Sequence, residues 1–387
     1  MGNPGSSDHI SRRGWLPSAL ALLEEEHPFV IALVVGPPEH PRLGQRLLIA
    51  QPESDTPDVS GDLSDRATDL FPHVRSVAAA RGADLVTIPI PAGPGTDDTL
   101  AAEVMFSTCG PPEMVWIFGA GHVGRALAPV LPPLGFRVTV CDDRAEYVTP
   151  QSFPDPFTRR VGDFADLAAE CAVRPGSWAV LVTRGHEHDE QILRRLAPSP
   201  PPYVGMIGSQ RRAGTVRRNL ATEGIPSDFL ESICTPIGLD IGADSPAEIA
   251  VAIAAELVAV RRGAHPRMAP SRSDVPPWAD TSGLRDLWQR VLTVLDDGKP
   301  VVLATVVSRR GSAPRGVGAQ MALFADGSIT GTIGGGCGEE EVRSAARRMI
   351  AAGERPRLLT IDLTGDASGA ANGICGGRYT VFLELLQ

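Results

Sequence analysis

Hydrophobic positions in this chain gather into short unbroken runs closed by polar or glycine-rich turns. Pro28-Phe-Val-Ile-Ala-Leu-Val-Val35 is one such run, Pro300-Val-Val-Leu-Ala-Thr-Val-Val307 is another, and the two read almost alike. β-Branched residues dominate both, so each predicts a buried strand. The same spacing, within one residue, relates Pro41-Arg42 to Pro314-Arg315 and Leu85-Val-Thr-Ile88 to Leu358-Leu-Thr-Ile361. A spacing kept over three segments identifies an internal duplication. Each copy reads as an apolar helix, a β-branched strand, a polar turn, short strands, a helix of alanine and arginine, and a final strand pair.

Between the copies the pattern changes to alternating strands and helices, the order that builds a doubly wound parallel sheet. Val115–Phe118 predicts a strand and Val123–Leu134 a helix; Val138–Cys141, Trp178–Thr183 and Tyr203–Ile207 predict further strands. Ser245-Pro246-Ala247-Glu248 combines a capping serine, a proline at the first helical position and a reciprocal glutamate, so a helix should run from there to about Arg262. The expected fold class is α/β. A Rossmann-like domain (113–265) is flanked by two related smaller α+β domains, 1–112 and, after a Pro/Ser/Arg-rich linker (266–281), 282–387.

Composition narrows the classes of function. With 387 residues, 43% apolar and 21% charged, the chain can bury two or three cores and is neither disordered nor fibrous. A net charge of −10 without a basic run argues against nucleic acid. The one lysine, Lys299, sits in the turn sequence Asp-Gly-Lys-Pro, which makes a phosphate-loop lysine or a Schiff base improbable. The six cysteines contain no Cys-x-x-Cys pair and do not resemble a disulfide framework, so a reducing cytoplasm is the expected location. No apolar segment reaches the ~18 residues that span a bilayer.

Gly119-Ala-Gly121-His122-Val-Gly124 follows a predicted strand and opens a helix, with Asp142 at the next strand end. In such a turn the first glycine allows the bend, the second lets backbone approach a pyrophosphate and the third packs helix on strand, while the acid takes a ribose hydroxyl. Arg144 beside it could favour a 2′-phosphate instead. The later strands end in Thr183-Arg-Gly-His186-Glu-His188-Asp189 and Gly208-Ser209-Gln-Arg211-Arg212, so four segments should converge on one crevice. His186, His188 and Asp189 suit polar contacts to a ligand, or a metal, though no third distant ligand is evident. In the C-terminal copy, Gly334-Gly335-Gly336-Cys337-Gly-Glu339 places a thiol after a glycine run and before a helix, and Cys375 lies in Gly-Ile-Cys-Gly-Gly. The helix start lowers a thiol pKa whereas Glu339, Glu340 and Glu341 oppose it, and sequence leaves the net sign open.

Gly311-Ser312-Ala-Pro-Arg315, the Gly331-to-Glu339 run, Cys375-Gly376-Gly377 and the middle-domain motifs together make the chain resemble the XdhC family, accessory proteins that mature molybdenum hydroxylases such as xanthine dehydrogenase. The resemblance covers about Glu113 to Gln387. It implies binding of the molybdenum cofactor (molybdopterin), its protection during exchange of a terminal oxygen for sulfur, and delivery to the hydroxylase, with a cysteine desulfurase and the client hydroxylase as partners and a homodimer as the expected assembly. On this reading Cys337 contacts the metal–sulfur region with Cys375 nearby, Arg315 forks onto a phosphate or carboxylate, and Ser312 and Glu339 orient the loop. The chain is then a chaperone more than a catalyst; the alternative is an NAD(P)-dependent oxidoreductase. The order departs from the family pattern, because the slot before the Rossmann-like domain holds a degenerate copy. That copy lacks both cysteine motifs, with Cys109-Gly110 a candidate relic of Cys-Gly-Gly. Whether the two sites meet within one chain or across a dimer stays open.

Overall fold

The computed structural model of the chain describes residues 13–25, 27–52, 54, 57–80, 83–92, 98–110, 112–173, 176–262, 283–311, 315–363 and 377–387, with backbone only at 79, 80 and 337. The expected linker lies outside the described residues. Two compact units emerge, one drawn from 1–111 with 275–387 and the other from 112–274.

The N-terminal copy begins with helix α1 (Trp15–Glu24) and strands β1 (Phe29–Gly36), β2 (Arg46–Ala50) and β3 (Asp58–Ser60). Helix α2 (Ala67–Ala80) and strands β4 (Ala83–Pro91) and β5 (Thr99–Cys109) complete it. Every pairing is antiparallel and the order is β3-β2-β1-β5-β4.

In the second unit β6 (Met114–Phe118), β7 (Arg137–Asp142), β8 (Thr158–Val161), β9 (Ser177–Leu181) and β10 (Tyr203–Met206) form a parallel sheet ordered β10-β9-β6-β7-β8. Helices cover both faces. Trp116, Phe118 and Leu181 pack against α4 (Phe164–Val173), α5 (His186–Leu196), α6 (Gln210–Thr222) and α7 (Ser227–Ser232). Ile117, Val140 and Val180 face α3 (His122–Leu127) and α8 (Pro246–Arg261). The chain runs outward from β6 in both directions, so the switch point lies between β6 and β9, where such folds bind ligands. The α3 pattern expected to reach Leu134 stops at Leu127 and continues as two 3-10 turns, because Pro129, Pro132 and Pro133 carry no N–H to donate. At the start of α8 the capping box of Ser245 and Glu248 is fully made.

The C-terminal copy consists of α9 (Leu284–Asp296), β11 (Val301–Gly311), β12 (Gln320–Phe324), β13 (Ile329–Gly331), α10 (Gly336–Ala352), β14 (Arg357–Asp362) and β15 (Gly377–Leu386). Its sheet order, β13-β12-β11-β15-β14, repeats that of the first copy. The register breaks at matching places too, between Val34 and Gly36 and between Val306 and Ser308. Backbone bonds fix the correspondence residue by residue: Gly44 N–H donates to Val34 O as Gly318 N–H does to Val306 O, and Gln45 N–H to Arg42 O as Ala319 N–H does to Gly316 O. Arg42 therefore falls on Gly316, one position away from the Arg315 that the sequence matched to it. Likewise Phe29 pairs with Cys109 as Val301 pairs with Leu386. Cys109 thus corresponds to Leu386 at the far end of the strand from Cys375, and is no relic of the Cys-Gly-Gly motif.

The two copies form one compact unit: each keeps a buried cluster of its own, under α2 or under α10, and further clusters draw on both. Trp15, Leu16, Ala19 and Leu20 of α1 cluster with Leu287, Trp288, Val291 and Leu295 of α9 and with both sheets. The Trp15 and Trp288 rings meet edge to face at 5.2 Å. Arg46 of β2 and Glu384 of β15, 2% and 0% exposed, form an ion pair across the copies, with one Nη1–Oε2 bond of 2.8 Å. Removing one partner of such a pair strands a buried charge at a cost of about 3–5 kcal/mol. Among the described residues no helix is long and apolar enough to cross a membrane.

Candidate functional site

In the parallel unit the carboxyl ends of β6, β7, β9 and β10 carry the four polar segments singled out in the sequence, and parallel pairing puts those ends on one edge. The three glycines after β6 meet different surroundings. Gly119 has φ +120 and a Cβ there would overlap the Val182 carbonyl, while a Cβ on Gly124 would overlap the Gly119 carbonyl. A Cβ on Gly121 would meet nothing within 4 Å. Two of the glycines are thus required by the fold, and the third faces open space.

Asp142 differs from its expected role. It is 1% exposed, its Oδ2 accepts the Ala120 N–H (2.8 Å), and its Oδ1 accepts the Arg144 N–H (3.1 Å). The Arg144 guanidinium closes on both oxygens at 2.8 and 3.1 Å. These four bonds use the acceptor sites of a carboxylate, so Asp142 holds the glycine turn and offers no ready site for a ribose hydroxyl. Arg144 also lies over the Tyr147 ring at 3.8 Å. Asp143 takes Arg184 in a two-pronged bond (2.6 and 2.7 Å), which holds its carboxyl well below the usual range.

Asp189 is fully buried at the start of α5, accepts Thr183 Oγ1–H at 2.6 Å and pairs with Arg212. Burial pushes its carboxyl up against the opposing pull of Thr183 and Arg212. His188 packs on Phe164 at 5.1 Å, whereas His122, His186 and Arg211 are exposed at the rim. Gly208, with φ +150, precedes Ser209, whose Oγ caps α6 by accepting the Arg212 N–H at 3.3 Å. Among the described residues no three His, Cys, Asp or Glu side chains come together as a metal site.

The second constellation is in the C-terminal copy. Gly334, Gly335 and Gly336 all have positive φ (130, 71 and 68) and lead into α10, whose second residue is Cys337. Thr332 Oγ1 donates to Glu339 Oε2 at 2.8 Å and accepts the Gly334 N–H at 3.1 Å; Glu339 Oε2 also accepts the Gly335 N–H at 2.9 Å. Thr332 and Glu339 therefore fix the loop. Gly311 and Gly377 are partners in register; Ser312, next after Gly311 in the sequence, and Cys375, two residues before Gly377, lie outside the described residues. Arg315 is half-buried.

The first copy shows what can fill this place. There Arg42, 2% exposed, donates to Asp65 (3.2 and 2.9 Å), to the Pro91 carbonyl (2.8 Å) and to Gln45 Oε1 (3.2 Å). Gly316 stands at the Arg42 position. Gly61 and Gly331 both close against the β2 and β12 carbonyls of Arg46 and Gln320, and four residues beyond them stand Asp65 and Gly335. A Cβ on Gly316, Gly335 or Gly336 would meet nothing within 4 Å. The space that one copy fills with an ion pair is bordered in the other by glycine.

Sequence reasoning missed Tyr379, whose buried hydroxyl lies against Gly338. The available signal was the alternation Gly377, Tyr379, Val381, Leu383 in β15, which puts a phenol among inward-facing residues. It also missed Gly316, which only the superposition of the copies distinguishes from other loop glycines.

A sequence model of the XdhC Rossmann domain matches residues 115–257, and one of the XdhC and CoxI family matches residues 294–362, together more than half of the chain. The uncharacterized protein YqeB of Escherichia coli (strain K12) is 29% identical over 260 residues, 63% of this chain and 46% of that protein. A probable xanthine dehydrogenase subunit from Bacillus subtilis (strain 168) is 33% identical over 152 residues, 39% of this chain and 44% of its own length. The molybdenum cofactor insertion chaperone PaoD of E. coli (strain K12) is 34% identical over 109 residues, 28% of this chain and 33% of its own. The chain thus spans less than half the length of each of these curated relatives. A parallel Rossmann unit and a glycine-cysteine loop domain, each matched by its own model, place this chain in the XdhC family.

Proposed function

We propose that the chain is a maturation factor for molybdenum hydroxylases: it binds the molybdenum cofactor, supports its sulfuration and delivers it to a xanthine dehydrogenase-type client. The observation that carries this reading is the open space at Gly316, Gly335 and Gly336, at the positions where the other copy holds its Arg42–Asp65 pair. Exposed glycine backbone at a helix start suits an anionic group. When bound, the cofactor supplies the metal centre whose terminal oxygen is exchanged for sulfur. Cys337 is the soft donor of the motif, and soft sulfur suits such a centre better than the carboxylates beside it. Arg315 pairs with a phosphate or carboxylate, Ser312 and Glu339 orient the loop, and Cys375 is the second thiol of the site.

The crevice of the parallel unit takes a phosphate-bearing ligand at Gly121, with His122, His186 and Arg211 at its rim. The names of the B. subtilis and E. coli relatives support a client of the hydroxylase type. A cysteine desulfurase and a second copy of the chain complete the partners, and the cytoplasm is where such partners meet. An oxidoreductase using NAD(P) is the other reading, favoured by the parallel sheet with its glycine turn and weakened by the engagement of Asp142.

Native mass spectrometry with metal analysis, on protein made in a molybdopterin-producing host, tests the proposal. Retained molybdopterin and molybdenum are the expected result. Protein that stays cofactor-free while the host's own hydroxylases are active would contradict it.

A further inference from the structure

Helix α8 departs from the rule that a surface helix turns polar side chains to solvent. Its inner side, with Ala250, Ile253, Ala254 and Leu257, packs into the core of the parallel unit. From Ile249 to Val260 the helix holds one polar residue, Glu256, which is 0% exposed and takes the Tyr203 hydroxyl. About three turns of outer surface therefore carry no polar side chain. Val251 is 52% exposed, Ala247 is exposed, and Ala255 and Val258 are half-buried; helical spacing puts all four on one stripe. The outward positions of α5 and α6 hold Arg194, Arg195, Arg218 and Asn219 instead. A helix that is apolar on every side belongs under cover.

The stripe ends in opposite charges. Asp244, one residue before the Ser245 cap, lies at its start and Arg262 at its end, both exposed. Glu248 is held in the capping box, its Oε2 accepting the Asp244 and Ser245 N–H groups. In a contact between identical surfaces, if position i meets j then j meets i. Two copies of α8 laid antiparallel about a twofold axis at the level of Ile253 put Val251 opposite Ala255 and Asp244 opposite Arg262, each pair occurring twice. A parallel pairing would instead set Asp244 against Asp244 and Arg262 against Arg262.

We propose that the outer face of α8 docks a second copy of the chain, α8 against α8 antiparallel, with Asp244 of each copy paired to Arg262 of the other. The inference rests on the reading that the chain pairs with itself, names the surface it uses, and is independent of the cofactor. One helix against one helix buries less than the ~1,600 Å² of a standard interface, so a dissociation constant on the order of 10 µM is expected.

Sedimentation equilibrium of the full chain from about 1 to 100 µM tests this. The wild type should dimerise. Val251→Glu would bury a charge in the contact and should weaken dimerisation at least about a hundredfold, with an unchanged thermal midpoint at low concentration because the side chain is exposed. Asp244→Arg sets like charges together at both ends and should weaken it about tenfold, and adding Arg262→Asp to the same chain should restore wild-type association. A wild type that stays monomeric at about 100 µM overturns the self-pairing together with its surface; if Val251→Glu then lowers the midpoint, the face is covered within one chain. A dimer unaffected by Val251→Glu, or a double variant no tighter than Asp244→Arg alone, overturns the surface and leaves the second copy in place.

Discussion

Gly119, Gly121 and Gly124 share one motif, yet the structure gives them opposite consequences on substitution. Gly119→Ala and Gly124→Ala each drive a methyl into a carbonyl oxygen, so a loss of about 2–4 kcal/mol is expected in denaturant titrations. At Gly121 a Cβ meets no protein atom within 4 Å, so Gly121→Val should keep stability close to wild type but lose at least about tenfold in phosphate-ligand affinity by calorimetry. Thiols divide in a similar way. Burial pushes Cys109 and Cys171 up to about 12 and raises Cys141 as well. Alkylation at pH 8 should therefore leave these three unlabelled until denaturant is added, as peptide mass spectrometry would show. Asp143 titrates in the other sense. Its folded pKa is depressed by Arg184, so its contribution to stability is complete above the usual aspartate range near about pH 4 and is lost as pH falls through the folded value. Asp143→Asn should lower stability at neutral pH and flatten the acid limb of the stability profile.

At the scale of elements, the strands that read clearly were those buried on both faces. β1, β6, β9 and β11 are continuous apolar runs, and their limits shift by only a few residues from pattern to structure. β8 was not legible, because Thr-Arg-Arg-Val is an edge strand whose identity comes from pairing with β7. The capping box at α8 was readable since all its parts are local, whereas Asp142 was misread because its partners, Ala120 and Arg144, meet only after β6 and β7 pair. The Arg46–Glu384 pair, 338 residues apart, is likewise a product of packing. Glu384→Ala should cost about 3–5 kcal/mol in chemical denaturation, with less lost when Arg46→Leu accompanies Glu384→Leu.

For the whole molecule, duplication was visible in the sequence, but its outcome as a single unit was not, since repeats alone do not say which faces are apolar toward each other. α1 and α9 each present a buried stripe to the other copy, with Trp15 against Trp288. Division of labour follows from the same packing: one copy fills its cradle with Arg42 and Asp65 and contributes core, while the other keeps glycine at those positions beside Cys337. The most direct test of that division is the molybdopterin content of full-length protein from a molybdopterin-producing host, compared among the wild type, Gly316→Asp, Cys337→Ser and Cys109→Ala. Gly316→Asp places a carboxylate in the open cradle without backbone strain and should abolish retention, while Cys109→Ala, in the other copy, should leave it unchanged. Full retention by Gly316→Asp, or loss in Cys109→Ala as complete as in Cys337→Ser, would contradict the account.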